Sequence, residues 1–472
     1  MAEAVASGAD RRLVWAGSAL ILTVGVLALV ATCLLIPLGP VAAGAMGGVA
    51  VGMLGIGVLV QTGEGVRLGA LLLVGASMFG GEEGVSPFEA LFFAGALVML
   101  AGWYGTVVLG GRRFITSGDD VVAALWLGLG VAVALVASAV VGNPAADLRA
   151  EAIALFPMFL YFPIKEAVAE RRWGLPLVVG ALAWYGVYST VLNAVAIRTA
   201  VVEATAWYEV ANVRFVTGET AMAAALLIGV SLLPALRSRA VRLGLLAVAG
   251  TLLIGLVVAK SRGYWLAAAF GLVVALLASP PETRRQSLQS LALGGLVLVG
   301  LAWALASEQV LLLIEGLVIR FASLSDVGRD PSVLSRVAES AGAWEQVRLN
   351  PVLGYGWGRR VTHYSALSDG TQHWSFMHNT YLWVWHKVGL WGLGLLLALW
   401  GRAAVRSLRA AQSRALPLAE RAGAAGAVGL VALTSNPLGV GDAALVVTLV
   451  LALAHGLGQR AEAAGRRAGD GS

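Results

Sequence analysis

A polar segment passes without a break into a long apolar run in the stretch 361-VTHYSALSDGTQHWSFMHNTYLWVWHKVGLWGLGLLLALW-400. The apolar part is long enough to enter a membrane, because a helical span needs about 20 residues. Four of the chain's five histidines lie here, at His363, His373, His378 and His386. Imidazole titrates near neutral pH, and a membrane protein so poor in charge has no structural need to collect imidazoles at one membrane boundary. The stretch therefore predicts that the functional site of the protein lies at this membrane boundary.

The composition of the whole chain agrees with a membrane protein. Of 472 residues, 58% are hydrophobic and 13% are charged, whereas soluble domains carry about 25% charged residues. The apolar runs are continuous rather than alternating, which argues against a β-barrel. The 60 glycines suit closely packed transmembrane helices. The predicted fold class is all-α, a polytopic transmembrane bundle of about 12 to 14 spans, with a small helical periplasmic module.

Apolar runs divide the chain into predicted spans and domains. Besides 380–400, we expect spans at 13–36, 39–60, 66–80, 88–110, 121–141, 150–165, 174–197, 219–236, 242–259, 262–279, 288–306, 421–434 and 438–457. The predicted domains are N-terminal transmembrane helices in 1–306 including a periplasmic loop at 198–218, a periplasmic helical module at 307–379, C-terminal transmembrane helices in 380–457, and a cytoplasmic tail at 458–472.

The positive charges predict the orientation of these spans. Most of the 33 Lys and Arg fall in alternate short loops, which is the pattern of cytoplasmic loops. Both termini are therefore expected in the cytoplasm, and the two long segments that face the periplasm, 198–218 and 307–379, hold most of the remaining positive charges. Because the net charge of +6 arises from these loops, it indicates topology rather than nucleic-acid binding.

The segment 307–379 has helix and turn signals of its own. Residues 310–322 form an apolar stretch that predicts a helix in the membrane interface. Asp330 followed by Pro331 predicts a helix start, and the helix should continue to about Leu349. Arg336 and Glu339 share one face of this helix. The sequence 354-GYGWG-358 then predicts a glycine-rich turn before the histidines.

Four pieces in this order resemble a known family. They are 214-RFVTGETAMAAALL-227, 261-SRGYWLAAAFGL-272, a helix with R-x-x-E followed by N-P-V-L-G-Y-G-W-G, and His378-Asn379 followed after nine residues by G-x-x-G. This half of the chain, 213–397, resembles the O-antigen ligase and O-antigen polymerase superfamily of bacterial envelope glycan assembly. One difference is that Thr217-Gly218-Glu219-Thr220 stands where the family commonly has N-P-N.

The resemblance implies an integral-membrane glycosyltransferase of the GT-C type in the bacterial inner membrane, with a periplasmic active site. Its donor would be an undecaprenyl-pyrophosphate-linked glycan, and it would need no cofactor and no metal. A ligase passes the glycan to lipid A–core, a polymerase passes it to another repeat unit, and an oligosaccharyltransferase passes it to protein. We expect a ligase, with a polymerase as the alternative.

Arginine suits the leaving group of such a reaction. The leaving pyrophosphate is anionic, and no D-x-D sequence on the outer face could hold a metal against it. Guanidinium groups bind phosphate oxygens in a bidentate fork and stay charged. The predicted pyrophosphate ligands are Arg214, Arg262 and Arg336, with Lys260 as a helper.

A base that titrates near neutral pH suits the acceptor hydroxyl, which loses its proton as it attacks the anomeric carbon. His378 is the predicted catalytic base, and direct attack would invert the anomeric configuration. The predicted acceptor or sugar contacts are Asn379, Tyr381, Tyr355, Trp357, Arg359, Arg360, His363 and His373.

Structural interpretations compete with several of these roles. His378 could only cap a helix, Arg336 could only pair with Glu339, and His386 and Lys387 could pair with a carboxylate inside the bundle. The alternative to an enzyme is a transporter of lipid-linked or anionic solutes that uses the outer arginines as its binding site. Transporters usually place polar sites near the midplane between repeated halves, whereas the polar residues here gather at one face.

Overall fold

The structure is a computed structural model, and it describes residues 64–79, 87–111, 113–203, 218–259, 261–304, 318, 328, 330–366, 368–430 and 441–469. The spans predicted at 13–36 and 39–60, the interface helix at 310–322 except for Val318, and residues 204–217 of the predicted loop lie outside this part of the chain. The chain divides into two units, Met1–Thr106 and Val107–Ser472.

The described residues form an all-α polytopic helical bundle with one small hairpin. The helices are α1 (Glu64–Val74), α2 (Pro87–Leu109), α3 (Gly118–Leu125), α4 (Val131–Val141), α5 (Ala145–Leu155), α6 (Tyr161–Glu170), α7 (Gly174–Glu203), α8 (Glu219–Leu232), α9 (Arg239–Val258), α10 (Arg262–Ala278), α11 (Pro281–Ala304), α12 (Pro331–Val347), α13 (Thr380–Gln412), α14 (Leu418–Gly429) and α15 (Gly441–Gly469), and the strands are β1 (Val361–Ser365) and β2 (Gly370–Trp374). Seven described helical stretches are long and apolar enough to cross a membrane.

In the first unit, α1 lies against α2. Leu68 and Leu72 of α1 are buried, as are Phe92 and Ala96 of α2. The two faces meet where Leu71 lies against Gly95, and a Cβ at that glycine would come within 3.3 Å of the leucine Cδ1. A small residue at this point therefore lets the two helices approach closely.

In the second unit, α8 is the central helix. Nearly every one of its residues is buried, and it contacts α7, α9, α10, α14 and α15. Small side chains make this possible: a Cβ at Gly426 of α14 would stand 2.7 Å from the Ile228 Cα, and one at Gly271 of α10 would stand 2.9 Å from the Leu227 Cδ1. Because the buried helix α8 begins at Glu219, a carboxyl group lies inside the bundle.

Several predicted spans differ from the observed helices in their bounds. The span predicted at 150–165 is part of a longer stretch, Ala145–Glu170, which a 3₁₀ turn at Phe156–Leu160 divides into α5 and α6. Helix α13 continues beyond the predicted 400 to Gln412, and α15 continues beyond the predicted 457 to Gly469. Both extensions are polar, so an apolar run defines the membrane part of a helix but not its end.

The predicted loop between the glycine-rich turn and His378 is a β-hairpin. β1 pairs antiparallel with β2, with Val361 opposite Trp374 and Ser365 opposite Gly370. Alternate residues of β1 are buried, as expected of a strand with one covered face, and β1 packs on α12. Asp369 adopts a left-handed backbone conformation in the turn (φ 47°). The hairpin fixes the approach of the chain to α13.

Paired charges lie at the end of α13 that is far from His378. Asp119 accepts hydrogen bonds from Arg402 (2.5 Å) and Arg406 (2.8 Å), and Lys165 donates to Asp120 at 2.5 Å. Arg402 lies 22 residues after Thr380, which is roughly 33 Å along a helix. We call these five residues the opposite-end cluster.

Candidate functional site

His378 lies immediately before a capped helix. Asn379 is the N-cap of α13, and its Oδ1 accepts hydrogen bonds from the backbone N–H groups of Tyr381 (3.1 Å) and Leu382 (3.2 Å). Asparagine favours this position because its side chain satisfies N–H groups that a helix leaves free. The cap fixes the backbone at His378 at the start of a rigid helix.

A buried carboxylate binds His378 at two points. Oε1 of Glu339 accepts from the His378 backbone N–H at 3.0 Å, and Oε2 lies 2.8 Å from Nδ1 of the ring. The Glu339 side chain is 4% exposed, whereas that of His378 is 38% exposed. With its proton on Nδ1 and directed at the carboxylate, the ring carries its lone pair on Nε2, at the far edge of the imidazole.

The hydrogen-bonded pair of His378 and Glu339 can therefore accept a proton from a bound group. Nε2 can take a proton from a group outside the protein, and the Glu339 carboxylate stabilises the resulting imidazolium. The competing interpretation, in which Arg336 pairs with Glu339, is not what the structure has. Glu339 turns to His378, and Arg336 is exposed on the same helix.

The glycine-rich turn is held by a break in α13. At Gly389 the backbone leaves the helical conformation (φ 80°, ψ −178°). Tyr355 and Gly356 donate to the carbonyls of His386 (2.8 Å) and Lys387 (2.9 Å), and Leu390 donates to Pro351 at 2.9 Å. A Cβ at Gly389 would collide with the Val352 carbonyl. The turn thus supplies hydrogen-bond partners for the backbone groups that the break in α13 leaves free. Only glycine fits at the break.

Glu151 of α5 joins three parts of the site. Its Oε2 accepts from the Gly358 N–H at 2.6 Å, its Oε1 lies 2.8 Å from Lys387 Nζ, and Ser375 donates to the same carboxylate. Lys387 therefore pairs with a carboxylate inside the bundle, as one interpretation of the sequence predicted. His386 instead places Nε2 at 3.0 Å from the Gln346 Oε1.

The two arginines after the turn already have partners. Arg360 donates twice to Asp147, at 2.6 and 3.2 Å. This hydrogen-bonded carboxylate raises the pKa of Arg360. Arg359 donates to the Gln346 side chain at 3.1 Å and lies over the Tyr355 ring. Both arginines therefore fasten the turn to α5 and α12.

The other residues predicted to contact the acceptor or a sugar differ in how exposed they are. Trp357 is buried against Trp383, with ring centroids 5.3 Å apart. His363 is buried on β1 and packs edge-on against Trp374, whereas His373 is exposed and bonds Thr362 at 2.8 Å.

A second group of polar residues lies where α8, α10 and α15 begin. Thr220 and Tyr264 share a hydrogen bond of 2.9 Å, and the Gly218 N–H donates to the Asp442 carboxylate. Glu219 is buried. Arg336 of α12 acts electrostatically on Tyr264.

The predicted pyrophosphate ligands are only partly described. Arg214 and Lys260 lie outside the described residues. Arg262 begins α10, and its side chain also lies outside the description. Among the residues that the structure describes, no three His, Cys, Asp or Glu come together as a metal site.

Three acids important to this arrangement were not singled out as site residues from the sequence. Glu151, Glu219 and Asp442 each lie within or at the start of an apolar run, and a carboxyl group in such a position is a signal for function or a specific partner. Within helical spacing, Glu339 has only Arg336 as a partner of opposite charge. Its contact with His378 spans 39 residues, which helical spacing does not predict.

Comparison with known families places a match on this site. Residues 224–397 match the O-antigen ligase family model. The match contains Arg262, Arg336, Glu339 and His378, and it confirms the resemblance to the O-antigen ligase and polymerase superfamily. No curated protein matches the chain. The family match supports a membrane glycosyltransferase of O-antigen ligase or polymerase type, with a lipid-linked glycan and an acceptor as partners.

Proposed function

We propose that the protein transfers an undecaprenyl-pyrophosphate-linked glycan to lipid A–core at the periplasmic face of the bacterial inner membrane. The transfer needs no metal and inverts the anomeric configuration. In this proposal both termini lie in the cytoplasm, so the end of the bundle that carries His378 faces the periplasm.

The observation that carries the proposal is the bond between His378 and Glu339. His378 Nε2 accepts the proton of the acceptor hydroxyl as that oxygen attacks the anomeric carbon. The bond from that carbon to the pyrophosphate oxygen breaks, and the carbon–oxygen bond to the acceptor forms. Glu339 keeps the ring in the tautomer that can accept a proton and stabilises the charged ring.

Positive groups around the start of α10 hold the leaving pyrophosphate. Arg336 is exposed on α12, and Arg262 begins α10. We assign Arg262, Arg336, Arg214 and Lys260 to the pyrophosphate, where guanidinium groups and helix N-termini favour anions. Of the acceptor contacts, Asn379, Tyr381 and His373 are open enough to meet a sugar, and Arg359 and Arg360 position the turn beside them.

A reconstituted transfer assay tests this function. Purified protein in liposomes receives a lipid-linked glycan, with lipid A–core, with further lipid-linked repeat units, or with neither. We expect the glycan on lipid A–core, and the same rate in the presence of EDTA. Longer lipid-linked chains with no lipid A–core product would identify a polymerase. Loss of transfer in EDTA would contradict the metal-independent mechanism.

A transporter would give a different result in the same liposomes. It would move the lipid-linked glycan or an anionic solute across the bilayer without forming a new glycosidic bond. Movement without covalent transfer would therefore contradict the proposal.

A further inference from the structure

Three apolar side chains between α12 and the glycine-rich turn are largely exposed. Leu349 is 77% exposed, Val352 58% and Leu353 57%. We call these three residues the apolar tip, and the segment that carries them the turn 349–353. Large apolar side chains that gather on a surface mark a place of contact with another apolar surface. An apolar neighbour is therefore expected at the tip.

The contacts of α12 and its turn follow α13 in order. Beyond the bond that α12 makes to His378, the rings of Trp344 and Trp385 meet edge to face, with centroids 5.4 Å apart. The Pro351 carbonyl then accepts from the Trp385 indole N–H and from the Leu390 backbone N–H, each at 2.9 Å. Because the partners on this side advance from 378 through 385 to 390, α12 and its turn run alongside α13 in the same direction.

The position of these contacts on α13 gives their depth in the membrane. Helix α13 is long and apolar enough to cross a membrane, and Arg402 marks its polar end beside Asp119. The hydrocarbon core of a bilayer is about 30 Å thick, or about 20 residues of helix. Counted back from Arg402, this core begins near Leu382. Leu390 therefore lies roughly 12 Å inside the core, and the turn that bonds it lies at the same depth.

The apolar tip continues the lipid-facing surface of α13. Leu390 and Leu397 of this helix are both about half exposed, as side chains that face lipid are. The Val352 carbonyl lies against Gly389, where a Cβ would collide with it. The tip therefore adjoins Leu390, and the two exposed surfaces belong to one apolar face.

Polar groups of the turn are directed at the protein. The Asn350 side chain donates to the Gly354 carbonyl at 2.6 Å. The Pro351 carbonyl has the two donors of α13 given above, and proline has no N–H to satisfy. Irregular backbone is tolerated at membrane depth where its polar groups are paired within the protein. These contacts therefore favour a turn that can lie in lipid.

One exposed ion pair precedes the apolar tip. Arg348 pairs with Glu345 at the end of α12. Both residues come before the tip along the path of α12, so they lie closer to the membrane boundary. Long charged side chains keep their apolar stems against lipid while their ends reach the headgroups. The pair is therefore compatible with a tip in the hydrocarbon.

We propose that the turn 349–353 re-enters the lipid leaflet on the side of His378, and that the acyl chains of that leaflet cover the apolar tip. The sequence alone predicts a periplasmic position for this segment, so the proposal moves it from water into the bilayer. It holds whether or not the protein transfers glycan. It also sets His378 just outside the hydrocarbon, at the level of the lipid headgroups.

Site-specific fluorescence in lipid nanodiscs tests this position. The single cysteine, Cys33, is first replaced by serine, and Leu353→Cys then carries a fluorophore. The nanodiscs consist of phosphatidylethanolamine and phosphatidylglycerol, with a nitroxide-labelled lipid that quenches either from the headgroup or from midway along an acyl chain. We expect the acyl-chain nitroxide to cause the larger loss of fluorescence, and iodide in the buffer to cause little loss.

Two exposed positions provide matched controls. Leu397→Cys on α13 should show the same pattern of quenching as Leu353→Cys. Thr371→Cys on the hairpin should be quenched by iodide and not by the acyl-chain nitroxide. Val352→Cys provides a second probe of the apolar tip if Leu353→Cys does not fold. Because the nanodiscs contain no polyprenyl lipid, quenching from the acyl chain identifies the bilayer itself as the neighbour of the tip.

Three other results would overturn the proposal. Iodide quenching of Leu353→Cys as strong as that of Thr371→Cys would mean that the apolar tip lies in water. A larger loss from the headgroup nitroxide than from the acyl-chain nitroxide would mean that the turn stays at the membrane surface. Weak quenching by all three agents would mean that protein covers the tip, either another segment of this chain or a second copy.

Discussion

The two ends of α13 handle charge in different ways. In the opposite-end cluster every charged group has an ion partner: Asp119 binds two arginines, and Asp120 binds Lys165. Near His378 the bundle instead keeps reactive groups accessible. The imidazole is 38% exposed while its carboxylate partner is buried, and Arg336 is exposed.

This difference separates stability from chemistry. Removing one partner of a buried ion pair leaves an uncompensated charge, so the opposite-end cluster should contribute mainly to stability. At the other end, the buried Glu339 carboxylate binds the accessible His378 imidazole, and this arrangement suits proton transfer. Variants of the charged groups at the two ends should therefore fail in different assays. Three of the following four predictions test that separation, and the other concerns the break in α13 that lies between the ends.

The largest expected effect is on transfer in His378→Ala. Without an imidazole no group accepts the acceptor proton, so we expect a loss of at least about 1,000-fold, measured as glycan transfer by purified protein in liposomes. Thr371→Ala is the matched control, because that side chain is exposed on the hairpin that precedes His378 and has no role in the proposed site. Transfer by His378→Ala at near the wild-type rate would remove the base from the mechanism.

The second prediction concerns the break in α13. The backbone of Gly389 is left-handed, and a methyl group there would collide with the Val352 carbonyl. Gly389→Ala should therefore cost about 3 kcal/mol or more of stability. Thermal unfolding in detergent measures it. In Gly394→Ala on the same helix the added methyl meets nothing within 4 Å, and its unfolding temperature should equal or exceed that of the wild type. Equal stability of the two variants would show that the break does not need glycine.

The third prediction tests the partner of the base. Glu339→Gln keeps the shape of the side chain but loses the negative charge that orients and stabilises the charged ring. We expect the transfer rate to fall about 100-fold, with binding of the lipid-linked donor retained. The control is Glu345→Gln on the same helix, whose carboxylate pairs with Arg348 at the surface. If Glu339→Gln and Glu345→Gln lose activity equally, the Glu339 carboxylate has no specific role as the partner of the base.

The smallest effect is expected at the opposite end. Arg402→Ala removes a half-exposed guanidinium from Asp119, which keeps Arg406. We expect a loss of about 1 kcal/mol of stability, with transfer per folded molecule within about twofold of wild type. A large loss of transfer at unchanged stability would mean that the two ends are not separate in function.

Much of this arrangement could be predicted from local sequence. Asp330-Pro331 predicted the start of α12, because a helix cap is a local signal, and the apolar run from 380 predicted the start of α13. The apolar runs gave nearly all the described membrane helices. The hairpin was missed because the strands are five residues each and lie among loop-forming residues.

The contacts that build the site could not be predicted in the same way. Glu339 reaches His378 across 39 residues, and Glu151 reaches Gly358 across 207. Helical spacing relates residues three or four apart, so it paired Glu339 with Arg336. The long-range partners follow only from how the helices pack.

A double-mutant cycle on His378 and Glu339 tests the central claim most directly. It compares donor-to-acceptor transfer in the wild type, His378→Ala, Glu339→Gln and the double variant. Since Glu339 acts through the imidazole, the double variant should be no slower than His378→Ala alone. If the two losses multiply, Glu339 acts independently of His378, and the proposed base with its carboxylate partner is wrong.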